Sequence, residues 1–253
     1  MLWQNAFLET RWRFLIGLGL LTSSAVFIVL SYPQVAEIIK TAPSLAQGGS
    51  LGRAIAESAA LSRTYDGYVW SQWFRQNGAQ LGAFFAVIIG TGGLLAQGSA
   101  ARLFTLSLPI SRERLLGVRA IAGLTQVLAL ALVPALVLTI VSPVVGERFG
   151  LLDALAYALC IFAGFGVFFS VAFLFSTMFS NVWTPLVLAL CVGFLLRAVD
   201  QLAGRPAFSL LQMMHGESYY RGDGLPWPML LVSAGVATVL LYAGVRNVAR
   251  RDF

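Results

Sequence analysis

The 253-residue sequence is short of almost everything that reactive chemistry uses. Charged side chains make up 11% of it, against roughly 25% in soluble domains. It has one histidine, His215, one lysine, Lys40, and two cysteines, Cys160 and Cys191. A single histidine excludes a two-histidine metal site within this chain and argues against intramembrane proteases built on paired histidines. A serine–histidine dyad would have to use His215, and no adjoining pattern supports one. The lone lysine sits in no G-x-x-x-x-G-K-[ST] loop, so the chain is not itself a P-loop ATPase. Gly48, Gly49 and Gly52 lack the lysine that such a loop needs. Both cysteines fall inside apolar runs, where thiols behave as small hydrophobes, and no disulfide between them is expected.

What is present is apolar: 58% of the residues are hydrophobic. Six long runs stand out, at 14–30, 79–97, 119–141, 154–178, 183–200 and 228–246. A hydrocarbon core of about 30 Å needs roughly 20 mostly apolar residues in helix. The sequence therefore predicts an all-α polytopic membrane protein with six transmembrane helices, forming one domain over 1–253. The fifth run reaches the required length only if Arg197 and Asp200 lie near a membrane face. The net charge of +6 is read as topology rather than as a nucleic-acid footprint. If the N-terminus is cytoplasmic, the inner segments are short and dense in arginine, including Arg11, Arg13, Arg112, Arg114, Arg119 and Arg246. The acidic residues are then mostly outer. This places both termini in the cytoplasm of a multi-pass inner (plasma) membrane protein, with span 1 retained rather than cleaved as a signal.

Between and within the runs, the residue types suggest packing more than chemistry. Residues 1–13 read as an interfacial helix, with Trp3, Phe7 and Trp12 on the membrane and Arg11 and Arg13 toward headgroups or a partner. Tyr65, Tyr68, Trp70, Trp73 and Phe74 read as a helix lying on or entering the outer interface, with a ligand-stacking surface as the alternative. Gly82, Ala86 and Gly90, and likewise Ala156, Cys160 and Gly164, recur every four residues, which allows close helix approach. Pro134 is expected to kink the third span. The connection from Gln201 to Pro228 is apolar enough, through Leu210, Leu211, Met213 and Met214, to dip back into the membrane from the outer side.

The spans hold no carboxylate near their middles, where proton-driven carriers need one; only Gln80, Gln97 and Gln126 supply large polar groups. Arg197 and Asp200 lie three apart on one helix face and can form a structural ion pair, or serve as a gating element. A bundle with neither an ion relay nor a nucleotide site is passive or takes work from outside.

The most specific segment is 101–117, opening ARLFTLSLPISRERLLG. Pro109 favours a turn or helix start, and Ser111 can cap a helix through its hydroxyl. Such a capped, basic helix would project between spans 2 and 3. This stretch resembles the membrane (permease) subunits of type-2 ABC exporters, whose corresponding segment often runs leucine-serine-leucine-proline into Ser-Arg and further basic residues. The six spans, the interfacial start and the basic tail look like that family as well. The chain departs from it at Gln97, Gly98, Ser99 and Ala100, where many members carry acids. The resemblance implies a non-enzymatic permease that works as a homodimer or with a paralogue. A separate ABC ATPase subunit would hold the ATP and Mg. Leu108, Pro109, Ile110, Ser111, Arg112, Glu113 and Arg114 would lie in the coupling helix that meets that ATPase. The competing reading is that the arginines there only anchor to anionic membrane lipid. An ATP-independent channel or secondary carrier and a membrane assembly factor are the other function classes.

Overall fold

The computed structural model describes residues 2–41, 60–91, 111–179, 181–202 and 208–249. All regular structure among them is helical. Among the described residues, five helices are long and apolar enough to cross a membrane: Ala6–Ile38, Glu113–Val145, Leu151–Met178, Trp183–Leu202 and Trp227–Val248. These coincide with five of the six runs. The expected second span, 79–97, is described only as far as residue 91, and its last residues lie outside the described part.

The first helix, α1 (Leu2–Thr41), is 40 residues long, about 60 Å at 1.5 Å per residue and twice the bilayer core. Residues 2–13 are therefore the first turns of the span helix rather than a separate element. No glycine or proline occurs before Gly17, so nothing in the sequence breaks the helix between residues 2 and 16. Trp3, Phe7, Leu8 and Trp12 are exposed on its flank.

Next comes α2 (Tyr65–Val69), whose N-terminus is capped by Thr64 Oγ1 accepting from the Gly67 N–H at 3.2 Å. It runs through a π-helical stretch, Trp70–Asn77, into α3 (Gly78–Gly90). Ser111 then caps α4 (Arg112–Val141), its hydroxyl accepting from the Arg114 N–H at 3.4 Å. Pro134 sits inside α4 and is buried. A short 3₁₀ turn (Ser142–Val145) leads to α5 (Leu151–Met178), and α6 (Trp183–Leu202) follows. Two short helices, α7 (Leu210–Met214) and α8 (Glu217–Tyr220), precede the last long one, α9 (Trp227–Ala249).

Contacts at the helix ends fix the weave. At one end, Arg13 Nη1 donates to the Ile88 carbonyl (3.2 Å), Arg119 pairs with Glu9 (3.2 Å), and Asn247 Nδ2 donates to the Thr177 carbonyl (3.3 Å). The starts of α1 and α4 therefore meet the end of α3, whose Gly90 lies against the Phe173 backbone near the end of α5, where Gly244 of α9 also packs. At the opposite end, the Tyr65 and Ser142 hydroxyls lie 2.6 Å apart, Tyr68 donates to the Ile28 carbonyl (3.2 Å), and Tyr219 donates to Asp153 (2.6 Å). Successive long helices thus run antiparallel, and the first and last described helices have their outer termini at the same end.

The core is α5, packed by α3, α4 and α9, with α1 behind α3 and α4. The small-residue stripe on α3 works as its spacing predicts. Gly82, Ala86 and Gly90 are buried, and a Cβ at Gly82 would sit 1.8 Å from the Phe165 ring. The stripe on α5 has a different partner. Cys160 and Met213 share a cluster with Leu230, and a Cβ at Gly164 would meet the Met214 side chain at 2.6 Å. Gly164 lies about 20 Å along α5 from its start. The Gln201–Pro228 connection therefore reaches roughly half the length of that helix, with protein around Met213 and Met214. Both cysteines are free.

One expectation needs correcting. The aromatic run after Tyr65 does not spread over an outer surface: Tyr65, Tyr68, Trp70, Trp73 and Phe74 are all buried in the core. The polar edges of Tyr65, Tyr68 and Trp70 find partners inside the protein, as in the Trp70 Nε1 donation to the His215 carbonyl at 2.8 Å, whereas Trp73 Nε1 is buried without one among the described residues. With those three edges satisfied internally, the interface offers them no advantage.

Candidate functional site

A cleft of about 770 Å³ opens between α3 and α6, inside the range of about 300–1,000 Å³ usual for small-molecule sites. It lies where α6 packs more closely on α5 than on α3. Phe168 of α5 and Met214 of α7 are among the side chains lining it between the two walls. The α3 wall bears Gln80, Ala83 and Val87, spaced by three and four residues, so they share one helical face, and Gln76 of the π-helical stretch precedes them. The α6 wall bears Ala189, Gly193, Arg197 and Gln201 on a similar stripe. Both stripes turn from apolar to polar toward the same end, the one that holds α7 and α8.

At that polar end stand Arg75, Arg197, Asp200, His215 and Glu217. Arg75 comes from the π-helical stretch, a widened turn that is frequent at functional sites, and its guanidinium lies 5.5 Å from the Trp70 ring centre. That ring stacks on Tyr220 at 3.9 Å. Glu217 is bound by Arg221 one turn along. Asp200 accepts a hydrogen bond from the Ser209 hydroxyl, which also caps α7 by accepting from the Gln212 N–H at 3.2 Å. Among the described residues, neither Arg75 nor Arg197 forms an ion pair. Arg197 and Asp200 thus line the same cleft, with the carboxylate engaged by Ser209. Burial above all, then the Arg75 charge, lowers the His215 pKa to about 4, so its imidazole is neutral at pH 7.

The sequence singled out Arg197, Asp200 and Gln80, but gave His215 no functional role and missed Arg75, Gln76 and Gln212. The four-residue stripe on α6 was a usable signal for that wall. No spacing links Arg75 to Arg197, because they come from segments more than a hundred residues apart.

The second candidate region is the opposite end. Ser111 is exposed and caps α4, Glu113 and Arg114 are exposed in its first turn, and Arg112 is its first residue. These residues continue directly into the long apolar helix, so Arg112 onward is not part of a detached rod. Leu108, Pro109 and Ile110, with the rest of 101–110, lie outside the described residues. Nearby, Thr10 donates to Gln126 Oε1 at 2.8 Å in a buried contact, which satisfies the one large polar side chain deep in α4.

Among the described residues, no three His, Cys, Asp or Glu side chains gather as metal ligands would. No known family pattern matches the chain, and neither a curated protein nor a solved structure shows significant similarity to it.

Proposed function

We propose that this chain is the membrane subunit of an ATP-driven exporter, of the kind its 101–117 segment resembles. In this reading α3 with its continuation is the second of six spans, both termini are cytoplasmic, and the bundle forms a substrate path without catalysing a reaction. ATP and Mg belong to a separate ABC ATPase subunit, and a second permease copy or paralogue completes the path.

The observation that supports this best is the division of the bundle. One end holds both outer helix termini and the exposed, Ser111-capped charged turn of α4; the other opens into the cleft. The acidic side chains of the described long helices, Glu9, Glu37, Glu113, Asp153 and Asp200, all lie within about two turns of a helix end. No acidic side chain of the described long helices sits where a proton relay would, which favours a source of work outside the bundle over a proton-driven carrier. A capped first turn on a long helix transmits a push as a rigid-body shift.

The test is co-purification. ATPase activity should accompany the wild-type chain and be lost from the Arg112→Glu, Arg114→Glu variant, which should still insert and fold. An unchanged ATPase complement in that variant removes the coupling assignment.

A further inference from the structure

We propose that the cleft between α3 and α6 binds an amphiphile with one anionic headgroup, phosphate or carboxylate, and an alkyl tail. That this amphiphile is the cargo rests on the export reading; that it binds does not.

Three observations converge. The two facing walls change character together, from Ala83 and Val87 on α3 to Gln76 on the π-helical stretch before it, and from Ala189 and Gly193 to Arg197 on α6. Over the roughly 16 Å from Gln76 to Val87, the cleft therefore presents one polar end and one apolar trough, the shape of an amphiphile. The charges at the polar end are also unequally committed. Glu217 is held by Arg221, and Asp200 accepts from Ser209, while His215 is neutral. Arg75 and Arg197 form no ion pair among the described residues. Two open guanidinium forks match the oxygen geometry of a phosphate or carboxylate, and the Gln76, Gln80 and Gln212 amides add further donors. Finally, the cleft volume of about 770 Å³ fits such a molecule. Asp200 opposes the headgroup, which makes it a test of sign.

The experiment uses the full chain, without any ATPase, in phosphatidylcholine nanodiscs, with empty discs as the partition control. Thermal unfolding is followed against dodecyl phosphate, dodecanoate, dodecyltrimethylammonium and inorganic phosphate. The two anionic amphiphiles should raise the midpoint in a saturable way, and the cation and the bare ion should not. Arg75→Gln with Arg197→Gln should weaken dodecyl phosphate at least tenfold, and Asp200→Asn should tighten it several-fold. Competition by phosphatidylglycerol in the disc supports the proposal and names bilayer lipid as the source; binding without competition supports it with a free single-chain amphiphile. Stabilisation by the cation equal to that by the anions overturns the proposal, as does inorganic phosphate binding as tightly as its dodecyl ester. The headgroup series is run on the unaltered chain, so it decides the matter even if the arginine variants fail to fold. Failure here would leave the ATPase partnership, tested separately by co-purification, untouched.

Discussion

Thr10 donates its hydroxyl hydrogen to Gln126 Oε1 across 2.8 Å, in a buried contact that ties the first turns of α1 to α4. The Glu9–Arg119 pair lies beside it, at 3.2 Å. Together they make the start of the chain part of the bundle. Interhelical polar contacts in membrane proteins contribute about 1 kcal/mol, with a measured average nearer 0.6. Thr10→Val should therefore lower stability by about 1 kcal/mol, measured by thermal or denaturant unfolding in detergent, because it leaves the Gln126 carbonyl buried and unpaired. A double change, Thr10→Val with Gln126→Leu, should recover much of the loss.

Gly82 is where the fold has least room. Its missing side chain lets the Phe165 ring lie against the α3 backbone, and an added Cβ would come to 1.8 Å from that ring. Gly82→Ala should cost about 1–3 kcal/mol, seen as a lower melting midpoint and a broader size-exclusion peak. Phe165→Leu in the same chain should restore part of it.

Acid should loosen the cleft end of the molecule. His215 titrates near 4 in the fold against 6.5 ordinarily, lowered first by burial and then by Arg75 and Arg197, with Glu217 and Asp200 pulling the other way. The unfolded chain therefore takes up a proton between pH 6.5 and about 4 that the folded chain refuses. Stability from this group is greatest above pH 6.5 and falls as pH is lowered toward 4. His215→Gln should flatten that part of the pH–stability curve, measured by unfolding midpoints across the interval.

Much of the bundle was legible in the order of residues, because bilayer-length apolar runs have few other uses. The runs near 14, 119, 154, 183 and 228 each became a long helix. The Gly82–Gly90 stripe was legible too, since one small residue per turn on one face has a direct steric meaning. The aromatic segment after Tyr65 was not. Whether Tyr68 and Trp70 face lipid or core depends on the Ile28 and His215 carbonyls, which only the fold brings near. The cleft was hidden for the same reason, as its two arginines come from α6 and from a π-helical stretch with no periodic signature.

The account depends most on the claim that this bundle does no work by itself. The direct measurement is efflux of a fluorescent anionic amphiphile from proteoliposomes holding the purified chain, with and without a co-purifying ATPase and ATP. The account predicts movement only when the ATPase and ATP are both present, abolished by Arg112→Glu with Arg114→Glu. Sustained movement against a concentration gradient by this chain alone, without ATP, would contradict it.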